Sequence, residues 1–189
     1  MEITETLYVS TGEEWRNWLL EHYLSKDEIW LIYYKKETGK PSLPYNVAVE
    51  EALCFGWIDS IRKGIDEEKH AQRFTPRNPG SGYSQTNKER LARLADEGKL
   101  MPEMINVFQA NRPDEFEIPE DIIAALQAKP AAWEFFRESP KPYQRIRAAY
   151  VDSARGQPEE YIKRLENLVK KSNEHKYFGY HIEDFYQAH

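Results

Sequence analysis

Five prolines, Pro102, Pro119, Pro130, Pro140 and Pro158, recur through the second half of the chain, each at or just before a stretch with helical patterning. Proline lacks an amide hydrogen, so it fits the first turn of a helix and breaks the interior of one. The spacing therefore predicts a run of short helices near 102–111, 119–128, 130–138, 141–155 and 158–172. Tyr143, Ile146, Tyr150 and Ala154 line up as one apolar stripe, and Ile162, Leu165 and Val169 as another. The last two helices are thus expected to pack as a hairpin. The end of the chain carries Tyr177, Phe178, Tyr180, Phe185 and Tyr186, too aromatic for a free tail, and is expected to dock on the body.

The first half reads differently. Thr6–Val9 has strand character, and Thr11 with Glu14 three residues on is a capping box that opens a helix. Trp15, Trp18, Leu19 and Tyr23 then recur at helical spacing and need a covering surface. Glu28–Tyr34 is a β-branched and aromatic run ended by the turn residues Thr38–Pro41. A helix over Val47–Phe55 is closed by Gly56, and strands over Ile58–Ile65 and Lys69–Thr75 are joined by Asp66, Glu67 and Glu68. Ser84 caps a further helix that carries Leu91 and Leu94 on one face and ends at Gly98. The fold class is α+β, with a small antiparallel sheet and its helices in residues 1–100, a helical module packed on it over 101–172 and an aromatic docking segment over 173–189. In 189 residues with 13% aromatics there is enough apolar material for a core without disulfides.

The segment Glu51-Ala-Leu-Cys-Phe-Gly-Trp-Ile-Asp-Ser60, with Gln72-Arg-Phe-Thr-Pro-Arg77 and the Ser84–Leu94 helix, resembles the hallmark region of the YdeI/OmpD-associated (bacteriocin-protection) family. A weaker similarity runs from Trp133 to Leu168. There the family's Trp-Ile before Ala-Lys is replaced by Tyr150-Val151 before Ala154-Arg155, and its Glu-Thr-Arg helix opening by Pro158-Glu159-Glu160. The resemblance implies a bacterial protein connected with protection against bacteriocins or association with an outer-membrane porin, and no particular reaction.

Net charge is −6, which disfavours nucleic acid and anionic lipid unless cations are gathered locally. They are gathered in one place: Lys69 to Lys88 contains Lys69, Arg73, Arg77 and Lys88 and no acidic residue. The loop Pro79-Gly80-Ser81-Gly82-Tyr83-Ser84 lies within it, directly before a helix start where amides point outward. Arg73 and Arg77 as guanidinium forks, with Gly80, Ser81, Gly82, Tyr83 and Ser84, would suit a phosphate or carboxylate, and Trp57, Asp59 and Arg62 stand at the border. The structural alternative is a surface loop whose serine caps its helix and whose arginines pair with Glu50, Glu51 or Asp59. Four cations would engage few phosphates of a nucleic acid.

Other chemistry has less support. The loop lacks the Gly-Lys-Ser/Thr ending of a P-loop, and no Gly-x-Ser-x-Gly elbow occurs. His22, His70, His175, His181 and His189 show no metal-ligand spacing, and no cofactor is implied. Cys54 reads as a buried thiol. The acidic N-terminus is unlike a secretory signal and the longest apolar run, Ile29–Tyr34, is too short to span a bilayer, so a soluble, cytoplasmic protein is expected. Three functions remain: binding of a small anionic ligand; an interaction or stress-protection module that docks a protein partner or a second copy through its C-terminal helices; and an enzyme using Asp59, Glu51 and an arginine on an anionic substrate.

Overall fold

The capping box forms as its residues dictate: the Thr11 hydroxyl accepts from the Glu14 amide at 3.2 Å, and the Glu14 carboxylate accepts from the Thr11 amide at 3.1 Å. It opens helix α1 (Gly12–His22) in a computed structural model that describes residues 2–187. His189, and with it the end of the expected docking segment, lies outside the described residues. The described chain divides into two compact units: residues up to Gly82 together with Arg90–Ala110, and Tyr83–Glu89 together with residues from Asn111 onward.

The first unit holds four strands, β1 (Thr6–Leu7), β2 (Ile29–Tyr34), β3 (Trp57–Gly64) and β4 (Lys69–Pro76), in the order β1-β2-β4-β3. β4 is antiparallel to both β2 and β3, but β1 runs parallel to β2. The sheet is therefore mixed rather than antiparallel throughout. The reason is α1, which carries the chain back between β1 and β2 as a crossover, the connection that a parallel pair requires. Trp15 and Leu19 of α1 are fully buried, and the Trp15 indole N–H donates to the Ala48 carbonyl of helix α2 (Tyr45–Cys54) at 3.0 Å. Trp15 meets Phe74 edge to face and Trp18 meets Trp57 likewise, at centroid separations of 5.4 and 5.9 Å. Each such aromatic side chain removes enough apolar surface from water to stabilise by about 1.5–3 kcal/mol. Gly56, at φ 73°, makes the left-handed turn from α2 into β3. The helix α3 (Gln85–Asp96) gives its first residues to the second unit and the rest to the first, which also holds α4 (Pro102–Gln109).

The second unit is helical: α5 (Glu120–Gln127), α6 (Pro130–Glu138), α7 (Lys141–Asp152) and α8 (Pro158–Asn173). Pro130 and Pro158 occupy the first turns of their helices, while Pro119 and Pro140 stand at the caps. Ile122, Leu126, Phe136, Ala148, Val151 and Leu168 form its core. On α8, Leu165 and Val169 of the expected stripe pack against this core beside the fully buried Leu168 and Ser172, but Ile162 is 54% exposed. On α7, Tyr143 and Ile146 are buried but Tyr150 is 44% exposed. Tyr143 and Ile146 pack with Ile182 and Phe185 from the end of the chain, and Tyr177 stacks on Tyr186 beside Tyr143. No helix among the described residues is long and apolar enough to cross a membrane.

Candidate functional site

Strand β4 places Arg73 opposite Trp30, and there its Nε donates to the Glu28 carboxylate at 2.6 Å. Thr4 and Arg73 together hold Glu28 below the usual carboxylate range. Arg77 follows the strand. Its amide donates to the Gly56 carbonyl at 2.8 Å, and its Nη2 donates to the carbonyls of Ser81 and Gly82 at 3.0 and 2.9 Å. The Gly80 amide donates to Asn78 Oδ1 and the Ser81 amide to the Asn78 carbonyl. The loop thus wraps carbonyls around its own arginine and turns two of its amides inward. Ser84 acts as a helix cap, its hydroxyl accepting from the Asn87 amide at 3.3 Å. The two guanidinium groups are engaged by separate partners, Arg73 by Glu28 and Arg77 by the Ser81 and Gly82 carbonyls.

The bordering residues are engaged as well. Asp59 accepts from the Tyr45 hydroxyl at 2.7 Å and from Gln72 at 3.4 Å. Arg62 lies 3.5 Å from His70 Nδ1, and the buried Trp57 donates to the Tyr23 carbonyl at 3.1 Å. Tyr83, half-buried, opens the Tyr83–Glu89 stretch of the second unit. Glu50 pairs with Arg93 and Arg90, and Glu51 with Arg16, rather than with Arg62 or Arg73. Cys54 is buried, and that burial pushes its thiol up to about 11. Among the described residues, no three of His, Cys, Asp and Glu gather as a metal site.

A different cation is placed otherwise. Helix α7 carries Arg145 and Arg147, which point roughly 200° apart around the helix. Arg145 forms a bidentate pair with Glu89, at 2.6 and 2.7 Å, and the Gln85 amide also donates to Glu89 at 2.8 Å. Arg147 has no ion pair among the described residues. It is only 6% exposed, and its Nε has no hydrogen-bond partner. Two aromatic rings lie against it: Phe178 with its centroid 3.9 Å from the guanidinium carbon, and Tyr150 at 4.7 Å. Burial pulls the Arg147 guanidinium below its ordinary value, opposed by Tyr143, Tyr150 and Tyr186. Guanidinium groups nevertheless stay charged in proteins.

Arg147 lines a cleft of about 460 Å³. Ile146, Tyr150, Phe178 and Ile182 supply apolar wall, Thr86 and Asn167 neutral polar groups, and Gly179 and Tyr180 the rim. Gly179, at φ 136°, has a structural reason to be glycine: a Cβ there would collide with Ile182 and lie 3.2 Å from Arg147 Nη1. The neighbouring cation Arg164 is occupied by Glu160 at 2.8 Å and by the Tyr150 carbonyl at 2.9 Å. Among the described residues, the cleft therefore offers one unneutralised cation in a largely apolar setting. The sequence carries one sign of it, since Arg147 stands four residues after Tyr143 and three before Tyr150, inside a stripe otherwise read as core.

The chain has the architecture of a small α+β unit joined in sequence to a helical one, with a buried arginine in the latter. It belongs to the family described as Domain of unknown function (DUF8412), which matches residues 7–107, and residues 115–175 are similar to the family described as Bacteriocin-protection, YdeI or OmpD-Associated. The Glu51–Leu94 block that most strongly carries the resemblance in the sequence lies within the first match, and Trp133–Leu168 within the second. No curated protein and no solved structure matches the chain.

Proposed function

We propose that the protein binds a small anionic ligand and that the ligand sits in the Arg147 cleft. The observation that carries this reading is Arg147 itself, a buried cation that has no carboxylate partner among the described residues and lines a cleft. A buried charge is retained at a cost of several kcal/mol unless something neutralises it. An anion entering the cleft would do so. The basic loop supports binding less well, because Arg77 would have to release the Ser81 and Gly82 carbonyls before it met a ligand. Arg73 would likewise have to leave Glu28.

The test is a thermal-shift screen of phosphate, sulfate, nucleotides and small carboxylates against the native chain, Arg147→Met and the Arg73→Ala/Arg77→Ala double variant. A ligand at 100 times its Kd stabilises by about 2.7 kcal/mol, which is a shift of roughly 5–11 °C for a chain of this size. The expected result is a shift kept in the double variant and lost in Arg147→Met. A shift lost in the double variant and kept in Arg147→Met would move the site to the loop.

A further inference from the structure

The composition of the cleft narrows the ligand further, on the reading that the cleft binds an anion. We propose that it takes a monocarboxylate carried on an apolar body, aromatic bodies best of all.

The charge argument comes first. Among the described residues Arg147 is the only cation lining the cleft, and Arg164, the other guanidinium that acts on it electrostatically, is bound to Glu160 and to backbone carbonyl oxygen. A monoanion would balance Arg147. A phosphate monoester or a nucleotide would bring a second negative charge into apolar surroundings with nothing to meet it, and desolvating such a charge is unfavourable by several kcal/mol.

Geometry points the same way. The cation is a guanidinium fork set against the Phe178 and Tyr150 rings, with its Nε buried and without a hydrogen-bond partner. The planar carboxylate matches that fork with two parallel hydrogen bonds. Beyond the charge, the walls are Ile146, Ile182, Phe178 and Tyr150, and the polar groups Thr86 and Asn167 are both neutral. A ligand that left these walls wet would forgo most of the apolar area available to it. At about 460 Å³ the cleft lies within the range that encloses small organic molecules and well above the needs of a bare inorganic ion. Tyr180, 93% exposed on the rim beside Gly179, adds a ring that a bound body would cover.

Specificity and family membership then separate along the chain. Ile146, Arg147, Tyr150 and Asn167 lie in the residues matched by the bacteriocin-protection family. Phe178, Gly179, Tyr180 and Ile182 lie after them. The charge-reading residue is thus in the matched module, and much of the apolar wall comes from the tail.

Titration calorimetry on the full chain tests this with phenylacetate, 3-phenylpropionate and indole-3-acetate, against phenylacetamide, inorganic phosphate and adenosine monophosphate. The expected result is binding of the three aryl carboxylates and a loss of about 100-fold or more for the neutral amide. Arg147→Lys, which keeps the charge but not the fork, is expected to weaken them about 10-fold or more, and Arg147→Met to abolish the heat, with circular dichroism checking that each variant is folded. Binding of phosphate or the nucleotide through Arg147, with the aryl carboxylates silent, overturns the monocarboxylate inference and leaves the anion reading standing. Silence from every probe, or aryl carboxylates binding Arg147→Met as tightly as the native chain, overturns both.

Discussion

Arg77 and Arg147 each stand beside a glycine-bearing turn, yet the fold treats the two cations in opposite ways. Arg77 lies in a stretch without acids, and its guanidinium is taken by the Ser81 and Gly82 carbonyls of its own loop. Arg147 lies in an ordinary amphipathic helix, and its guanidinium is buried against two aromatic rings with no carboxylate partner among the described residues. Local charge density thus does not by itself leave a cation unpartnered. What makes a binding group is a donor that the fold buries and leaves unsatisfied, since only that donor gains more from a ligand than from water.

The largest effect that would sharpen this contrast lies two residues from Arg147. Glu89, whose side chain is 2% exposed, is neutralised by Arg145 and accepts from Gln85. Arg145→Met strands a buried carboxylate and is expected to destabilise by about 3–5 kcal/mol in urea unfolding. Arg147→Met strands nothing, so without ligand it is expected to leave stability unchanged or to raise it, removal of an unpaired buried charge being favourable by up to a few kcal/mol. Equal losses in the two variants would mean that Arg147 has a structural partner after all, and the comparison would break.

A second test asks whether buried groups of the first unit are closed to solvent. Cys54 is raised from 9.0 to about 11 by burial. Below pH 9 both folded and unfolded thiols are protonated and the group contributes nothing to the pH dependence. Between 9 and 11 the unfolded thiol ionises while the folded one keeps its proton, so stability falls as pH rises, by about 2–3 kcal/mol in all. Tyr33 and Tyr45, also raised by burial, add to the fall in the same direction above pH 10. The part due to Cys54 is the difference between native and Cys54→Ala unfolding curves across pH 8–11, and a flat difference would place the thiol in contact with water.

Gly179 tests the cleft by closing it. A methyl group there would meet Ile182 and approach Arg147, on a backbone at φ 136° that other residues rarely adopt. Gly179→Ala is expected to destabilise by about 1–3 kcal/mol in urea unfolding and to abolish anion binding in calorimetry. Tight binding in a stable variant would put the ligand away from the tail.

These features differ in how far the amino-acid order announces them, and the reason is the range of the interaction. The Thr11–Glu14 box and the proline-started helices are local: the partners lie within a few residues, so their spacing is enough. The direction of β1 depends on a crossover of some twenty residues folding against the sheet, which no local pattern records. Arg73 is read as a ligand-binding fork because its neighbours in sequence are uncharged, but Glu28 lies on the approach to the adjacent strand and takes it. Arg147 is passed over for the converse reason. On α7 it shares a face with Tyr143 and Tyr150, and an arginine there ordinarily extends its stem along apolar surface to reach water. Only the tail, folded back through Phe178 and Gly179, turns it into a buried group, and the tail's path is tertiary.

The smallest expected effect is at Arg77. The two hydrogen bonds from its Nη2 run to exposed backbone carbonyls that water would satisfy, so Arg77→Ala exchanges these protein partners for solvent ones and is expected to destabilise by about 1 kcal/mol or less. The loop, no longer gathered on the guanidinium, is expected to gain mobility, read as faster amide hydrogen exchange at Ser81 and Gly82. Calorimetric affinity for any anion that depends on Arg147 is expected to be unchanged. A large loss of affinity in Arg77→Ala with normal stability would be the one result that reverses the roles of the two arginines. It would mean that the carbonyl wrap opens readily and that the acid-free stretch is, after all, where charge is read.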